Sequence, residues 1–426
     1  MADWSSRRLH FIGIGGAGMS GLALVSAELG ATVTGSDRSD SSYMERLRAA
    51  GLDPVVGHDA ANLPEGAEVV VSTAIGADNP ELALARERGI EPIHRGALLA
   101  ELCAEKRLIA VAGTHGKTTT TAMLVWALRG LGAEPAFFVG GEVPGLGAER
   151  AAANAGWGSG EWVIAEADES DGSFLELKPE IAVVTNIEMD HHSRWGSVAE
   201  LRAAFDKFTA GARAVVRPED SDLEIELAVP GHHNLLNARA AVLAAGAAGF
   251  EAGAVAAALA DFPGVKRRLE LKGARGDARI YDDYAHHPTE VRAALSALRE
   301  REPGRLIAVF QPHLYSRTKA FGEEFGAALA LADEAVVLDV YPAREQPVGE
   351  LADVSGLQVA QAAAERMGGR RVRWLPDTAG VGPALTDLLD HNQAVGIEDQ
   401  VLVTIGAGDV FKLGEALVEG GGKVPR

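Results

Sequence analysis

The sequence holds one cysteine in 426 residues, Cys103. Neither an intramolecular disulfide nor a cysteine-based metal cluster can form from it. Leu98, Leu99 and Leu102 beside it read as a buried helix face, so an inert thiol is expected. No run of about 20 apolar residues occurs, and no membrane span is expected. The opening MADWSSRR has no cationic end leading into a long apolar stretch, so it does not read as a signal peptide, and the expected location is the cytoplasm. An excess of positive charge is also missing. Lys and Arg number 40 against 60 Asp and Glu, a net charge of −20. Such a chain gains no counterion-release affinity for nucleic acid or anionic lipid, which disfavours both as partners. An anionic substrate must then be held locally, by Lys, Arg, helix N-termini or metal. No fixed-period repeat is evident.

What is present points to an ordinary globular chain. The apolar share is 47% and the charged share 23%, far from the disordered signature. The length suggests about three domains. Short β-branched runs alternate with Ala/Leu-rich helical patterns, the mark of α/β domains with mostly parallel sheets. Strands are expected at 9–14, 31–35, 68–72, 108–112, 162–165, 181–186, 279–284, 306–311, 334–340, 371–374 and 400–405. Helices are expected at 17–29, 118–131, 235–248, 289–298 and 319–331. Two seams stand out. A charged stretch at 105–107 separates two αβ blocks, and FPGVKRR at 262–268 closes an Ala-rich region with helix- and strand-breaking residues.

Two glycine loops carry the chemistry. In the first, GIGGAG at 13–18 follows a strand and opens a helix, and Asp37 ends the next strand about 20 residues on. That meets the dinucleotide fingerprint in context: glycines for the tight turn, helix N–H groups for a diphosphate. It indicates a diphosphate-linked nucleoside more firmly than it indicates NAD. In the second, GTHGKTT at 113–119 follows another strand and precedes another helix, a shortened phosphate loop. Its backbone N–H groups suit a β-phosphate, Lys117 suits the β and γ oxygens, and Thr118 offers a hydroxyl to Mg²⁺. Four threonines at 118–121 are poor helix formers, which argues for function over structure. A dehydrogenase has no use for the second loop, and a simple ATPase has none for the first.

Acids and histidines follow at strand ends. EADESD at 166–171 lies where a metal ligand beside a phosphate loop is expected, with Glu166 at its head. TNIEMDHH at 185–192 also follows an apolar strand; His191 is expected to be functional near transferring phosphate, and His192 is left open. Further motifs are PGHHNLLN at 230–237, DDYAHHPTE at 282–290, FQPHLYSRT at 310–318 and DVYP at 339–342.

Together and in order, these segments resemble the Mur ligase family over nearly the whole chain. The resemblance implies a three-domain α/β architecture. Residues 1–106 would form a UDP-sugar-binding Rossmann-like domain, 107–264 a central phosphate-loop ATPase domain, and 265–426 a Rossmann-like domain admitting an amino acid. It implies an ATP-dependent ligase that joins L-alanine to the carboxylate of UDP-N-acetylmuramate through an acyl phosphate. Gly15, Gly16, Ala17 and Gly18 are then expected to hold the UDP diphosphate, with Ser36, Asp37 and Ser72 nearby. Gly113, Thr114, His115, Gly116, Lys117, Thr118 and Thr119 are expected to hold ATP. Thr118 and Glu166 would take one Mg²⁺ and His191 a second. His233, Asn234 and Asn237 would line the adenine and ribose side, and Arg268 would reach a phosphate. Asp283, His286, His287, His313 and Arg317 would face L-alanine and the sugar carboxylate. Lys117, Glu166, His191, His287 and Arg317 are the expected catalytic set.

Plainer readings stand beside some of these. Arg267 and Arg268 could form a solvated linker, and His286-His287-Pro288 is also a good helix start. The chain departs from the family between Ala214 and Pro230, where a long β excursion is reduced to room for one or two strands. That leaves an exposed flank. A smaller departure is Leu314, a position open to Arg in relatives. Three rival functions remain: a ligase adding a whole tripeptide to the same sugar nucleotide, a binding protein that has lost ligation with the excursion, and an NAD-dependent oxidoreductase. A monomer or weak homodimer is expected.

Overall fold

A computed structural model describes residues 3–147, 153–190, 194–343, 345–368, 371–377 and 380–420. It divides into two compact units, one of Met1–Ala228 with Asn234–Val265 and one of Val229–His233 with Lys266–Arg426. The seam expected at 105–107 lies inside the first unit, which carries two sheets.

The first sheet is parallel and uses β1 (Arg8–Ile12), β2 (Thr32–Asp37), β3 (Val55–Val56), β4 (Glu68–Val71) and β5 (Ile93–His94), in the order β3-β2-β1-β4-β5. Helices α1 (Ala17–Glu28), α2 (Ser42–Ala49), α3 (Pro80–Glu87) and α4 (Arg95–Cys103) connect them. The central strand β1 is buried beyond its first residue, as a parallel strand covered on both faces must be. Strand order reverses beside β1, and the first glycine loop leaves its carboxyl end there. That is the crevice where open α/β sheets bind ligands.

The second sheet is built from β6 (Arg107–Ala112), β7 (Ala136–Val143), β8 (Ala153–Gly156), β9 (Trp162–Glu166), β10 (Ile181–Val184) and β11 (Ala214–Val216), in the order β11-β10-β6-β9-β7-β8. Only the β7–β8 pair is antiparallel. Its helices are α5 (Lys117–Gly130), α6 (Val198–Thr209), α7 (His232–Ala247) and α8 (Ala252–Ala258); the first two residues of α7 count with the second unit.

One apolar core runs through both sheets, from Trp4, Phe11 and Leu102 to Ala110, Val163 and Phe205. Each large side chain buried there contributes about 1.5–3 kcal/mol. The sheets are also stitched by polar contacts. Arg46 Nη1 donates to Glu142 (3.0 Å) and Asn154 (2.8 Å), and Asn154 Nδ2 donates to the Ala17 carbonyl (2.7 Å). A Cβ on Gly21 would lie 2.9 Å from that of Ala155, so α1 can sit this close to β8 only with glycine there. Cys103 is buried, and burial pushes its thiol well above the usual range, in keeping with an inert role.

At the shortened excursion one strand forms, the edge strand β11. A 3₁₀ turn at Pro218–Asp220 follows, with no strand at 221–228. Arg239 on α7 ties this remnant down, donating to the Leu223 carbonyl (2.8 Å) and pairing with Glu224 (3.2 Å). Val215 and Leu223 stay exposed, the open flank that the sequence implied.

The second unit holds β12 (Glu270–Arg275), β13 (Ala278–Asp283), β14 (Arg305–Phe310), β15 (Glu334–Leu338), β16 (Val372–Leu375) and β17 (Gln400–Ile405), in the order β12-β13-β17-β14-β15-β16. Only β12 runs antiparallel to its neighbour. Its helices are α9 (Pro288–Arg301), α10 (Tyr315–Leu329), α11 (Gly356–Arg366), α12 (Val381–Ala394) and α13 (Phe411–Glu419). Helix α10 starts four residues before the expected 319, and Phe321 breaks its regular backbone. Among the described residues no helix is long and apolar enough to cross a membrane.

Candidate active site

The second glycine loop is fixed by its neighbours before any ligand arrives. Gly113 (φ 132°) and Gly116 (φ 81°) adopt backbone that side chains disfavour, and a Cβ on Gly113 would sit 2.0 Å from Thr185 Oγ1. The segment after β10 staples the loop. Asn186 Oδ1 accepts from His115 N (2.9 Å) and its Nδ2 donates to the His115 carbonyl (2.9 Å). Thr114 Oγ1 donates to the Glu188 carbonyl (3.0 Å) and accepts from Glu188 N (2.9 Å). His115 Nε2 lies 3.5 Å from Glu188 Oε2. Thr185, Asn186 and Glu188 therefore hold the loop's shape.

Lys117 opens α5 and is nearly buried. Its Nζ donates to the carbonyls of Gly113 (2.7 Å) and Thr114 (3.2 Å) and to Glu169 (2.8 Å). Burial works against its charge, but Glu169, Asp168 and Glu166 outweigh that and hold it protonated well above the usual lysine range. Burial pushes the Glu169 carboxyl up to about 7, reinforced by Asp168 and opposed by Lys117. Burial also raises Glu166, again against the pull of Lys117. Asp168 is only half-buried, and desolvation opposes its charge, yet Lys117 and Arg95 draw it well below the carboxylate range. This is one cation enclosed by three acids, and removing it would leave buried charges uncompensated, a cost of about 3–5 kcal/mol.

Of the four threonines, Thr118 faces this cluster, donating to Glu166 Oε1 (3.0 Å). The other Glu166 oxygen accepts from Gly140 N (2.6 Å). A hydroxyl and a carboxylate at this spacing are hard oxygen donors that suit Mg²⁺. Thr119 is buried, Thr120 donates to Asn237 (3.2 Å), and Thr121 donates back to the Lys117 carbonyl (2.8 Å). Those two serve the helix and its packing. His191 and His192 lie outside the described residues.

Several of the expected site residues make contacts inside the protein. Asn234 and Asn237 were expected on the adenine and ribose side. Both are buried, Asn237 Nδ2 donates to Asn234 (3.3 Å), and a Cβ on Gly116 would lie 2.4 Å from Asn237 Oδ1. They brace the underside of the phosphate loop. His233 falls in the second unit with Arg268, where burial and the Arg268 charge lower it to about 4. The solvated-linker reading of 267–268 also fails. Arg267 (φ 61°) donates to Asp282 (3.0 Å) and to the carbonyls of Gly406 (2.8 Å) and Gly408 (3.3 Å), and Arg268 pairs with Glu290 (3.4 Å).

At the first glycine loop, Gly15 N donates to Asp37 Oδ2 (2.9 Å), and a Cβ on Gly15 would lie 2.9 Å from Met44 Cγ. Gly16 caps α1, with Ala17 and Gly18 in its first turn. Ser36 was expected near the diphosphate. Its hydroxyl is buried and donates to Glu81 (2.7 Å), and its carbonyl accepts from Gly13 N (2.8 Å) and Ile14 N (3.0 Å). It supports the turn from beneath. Glu81 also takes hydrogen bonds from Asn62 Nδ2 and Asp59 N (3.1 Å each) and lies 2.9 Å from His10 Nε2. Burial opposes its charge, but His10, Ser36 and Asn62 bring it down to about 2. Ser72 is half-buried, its hydroxyl 3.4 Å from Ala74 N.

In the second unit the expected substrate residues meet at the carboxyl ends of β13 and β14. Asp283 accepts from Leu269 N (2.8 Å) and Ala285 N (2.7 Å), and burial pushes it up to about 6 against the pull of Arg268. His287 caps α9, accepting from Thr289 N (3.3 Å), with Pro288 in the first turn. The His286 and His313 rings lie 5.8 Å apart, His313 stacks on Tyr341, and Arg317 Nη1 lies 3.1 Å from His313 Nδ1. Leu314, next to His313, holds φ at 67°, a strained value for a branched residue.

Three family models match this chain. The description "Mur ligase family, catalytic domain" covers residues 8–107, "Mur ligase middle domain" 111–221, and "Mur ligase, glutamate ligase domain" 267–407. The chain belongs to the Mur ligase family. Among curated relatives, the UDP-N-acetylmuramate–L-alanine ligase of Paenarthrobacter aurescens is 43% identical, with 97% of this chain and 96% of that protein covered. The enzyme of the same name from Mycolicibacterium gilvum is 44% identical, with 96% of each covered. The first alignment spans 462 positions, more than the 426 residues here, so that relative carries residues this Mur ligase lacks. Among solved structures, UDP-N-acetylmuramate-alanine ligase MurC from Thermotoga maritima matches with a TM-score of 0.82 at 29% identity, covering 97% of this chain and 98% of that one. A murein peptide ligase from Psychrobacter arcticus matches with a TM-score of 0.68 at 23% identity, covering 99% and 100%, and shares the fold of this Mur ligase.

Two residues of the first unit were missed by sequence reasoning. Glu81 and Arg95 sit far along the chain from their partners, and no local motif marks either. The acidic loop itself was visible; the cation that closes it was not.

Proposed function

We propose that this Mur ligase joins L-alanine to the lactyl carboxylate of UDP-N-acetylmuramate, converting ATP to ADP and phosphate, in cytoplasmic peptidoglycan precursor synthesis. One observation carries the reading. A single compact unit holds a glycine loop that carries no lysine and a glycine loop whose lysine three carboxylates enclose. The first suits a diphosphate that is only held, and the second a phosphoryl group that moves. The relatives' names supply the two substrates.

A carboxylate is a poor acylating agent, so it is first phosphorylated. Lys117 exchanges Glu169 for phosphate oxygens. A lactyl carboxylate oxygen then bonds the γ-phosphorus as the bond to ADP breaks, and ADP leaves with the electron pair. The amine of L-alanine attacks the acyl carbon and loses a proton, and phosphate departs. Two anions meet in the first step, and unit charges 4 Å apart repel by about 4 kcal/mol at an effective dielectric of 20. Thr118 and Glu166 would hold Mg²⁺, which when bound supplies positive charge against that repulsion. A second ion belongs to the reading through His191. Asp283, His286, His287, His313 and Arg317 are the groups proposed to receive L-alanine and the sugar carboxylate. The division at 1–106, 107–264 and 265–426 is part of the same reading and is supported by three sheets; a monomer or weak homodimer is proposed with it.

Phosphate release with ATP, Mg²⁺ and UDP-N-acetylmuramate tests this. Release that depends on L-alanine is expected. Release with the tripeptide alone would assign the tripeptide-adding ligase. Sugar-nucleotide binding without release would mean that the shortened central domain has lost the chemistry.

A further inference from the structure

Arg95 stands between the two glycine loops of the first unit. It is the first residue of α4, at the carboxyl edge of β5. Its Nη2 donates to Asp168 (2.9 Å) and Asp171 (2.8 Å) on the acidic loop. Its Nη1 points the other way, 3.4 Å from where a Cβ on Gly18 would sit in the first turn of α1. That is ordinary van der Waals distance, so the guanidinium lies against the first turn of the helix that the first loop opens.

The acidic loop is firmly built around this contact. Asp168 also accepts from Ser170 N (3.1 Å) and Ser170 Oγ (2.9 Å), and Asp171 accepts from Ser173 N (2.9 Å). A Cβ on Gly96 would lie 2.3 Å from that of Ser173, so the start of α4 and the acidic loop touch without slack. Phe174, next along, is packed against Phe205 (5.2 Å) and Phe208 (5.3 Å). The same acidic loop carries Glu169, which holds Lys117. A continuous chain of charge therefore runs from the first turn of α1 through Arg95 and the acids to Lys117.

We infer that Arg95 is a positioning residue that couples the sugar-nucleotide loop to the phosphate loop. An anion at the N-terminus of α1 attracts the Nη1 side of the guanidinium while the Nη2 side keeps its hold on Asp168. Charge bound at the first loop is then felt, through Arg95, by the acids that hold Lys117, and by linkage ATP at the second loop strengthens sugar-nucleotide binding equally. The inference rests on the proposed substrate, UDP-N-acetylmuramate.

The test is calorimetric titration of a non-hydrolysable ATP analogue with Mg²⁺, with and without saturating UDP-N-acetylmuramate. The wild-type chain is expected to bind the analogue about five-fold or more tightly in its presence, the lower range of ordinary coupling. Arg95→Gln is expected to bring the ratio to about one, and Arg95→Lys to restore part of it. Asp171→Asn, which spares the Arg95–Asp168 pair, is expected to keep most of it. A wild-type ratio of one, or an unchanged ratio in Arg95→Gln, would overturn the coupling role. So would equal loss in Asp171→Asn and Arg95→Gln, the sign of a general structural part. Failure of UDP-N-acetylmuramate to bind the wild-type chain would overturn the substrate reading instead, and the two failures are distinct.

Discussion

The two glycine loops do the same backbone job in different electrostatic settings. Each leaves the carboxyl end of a central parallel strand, turns on glycine and starts a helix. Around the first, one carboxylate, Asp37, accepts from Gly15 N, and a buried network through Ser36 and Glu81 supports the turn from below. Around the second, a buried lysine sits among three acids, and a threonine hydroxyl bonds one of them. Glycine spacing reports where backbone can approach a phosphate. The charges beside it report whether the phosphate is held or transferred.

The largest expected effect separates the loops outright. Lys117→Ala is expected to lower ligation by about 10³-fold or more, because preorganised positive charge is lost where charge is transferred. UDP-N-acetylmuramate affinity, read by calorimetry, should stay within a few-fold. Equal loss of both would break the comparison.

Next is the support beneath the first loop. Glu81→Gln is expected to cost about 3 kcal/mol at neutral pH, since it removes a buried carboxylate and leaves its hydrogen-bond donors short of an acceptor. The pH dependence has a definite sign. The Glu81 carboxyl is brought down to about 2 from an ordinary 4.5, so its stabilisation is present above pH 4.5 and is lost as pH falls toward 2. Denaturant unfolding of both forms should show the gap narrowing across that window, and a constant gap would contradict the assignment.

Gly15→Ala should weaken UDP-N-acetylmuramate by about ten-fold, because the new Cβ meets Met44 and Asp37. Binding of the ATP analogue should not change. The smallest expected effect is Asp37→Asn, a loss of a few-fold in sugar-nucleotide affinity alone, since the amide oxygen can still accept from Gly15 N and only the charge is removed. A larger effect on ATP than on the sugar nucleotide, in either variant, would reverse the roles of the loops.

Much of this was readable from residues. The long central strands, both loops and the acids at 166–171 announced themselves because apolar run, glycine turn and helix start are adjacent in the chain. The two-residue strands β3 and β5 gave no period to detect. Strands β7 and β8 were hidden by Gly140 and Gly141 and by alanine-rich composition. The supports were hidden for another reason. Ser36, His58, Asn62 and His10 converge on Glu81 from four places, and Arg95 meets acids 73 and 76 residues away. Asn237 shows the converse. A local motif brought it to notice, but nothing local showed that it packs beneath Gly116 of the second glycine loop.

The most direct measurement is hydroxylamine trapping with ATP, Mg²⁺ and UDP-N-acetylmuramate and no amino acid. An acyl phosphate formed at the second loop should yield the hydroxamate of UDP-N-acetylmuramate together with one phosphate per molecule, in the wild-type chain and not in Lys117→Ala. No hydroxamate from the wild-type chain, or the same yield from Lys117→Ala, would contradict the division of labour between the two loops.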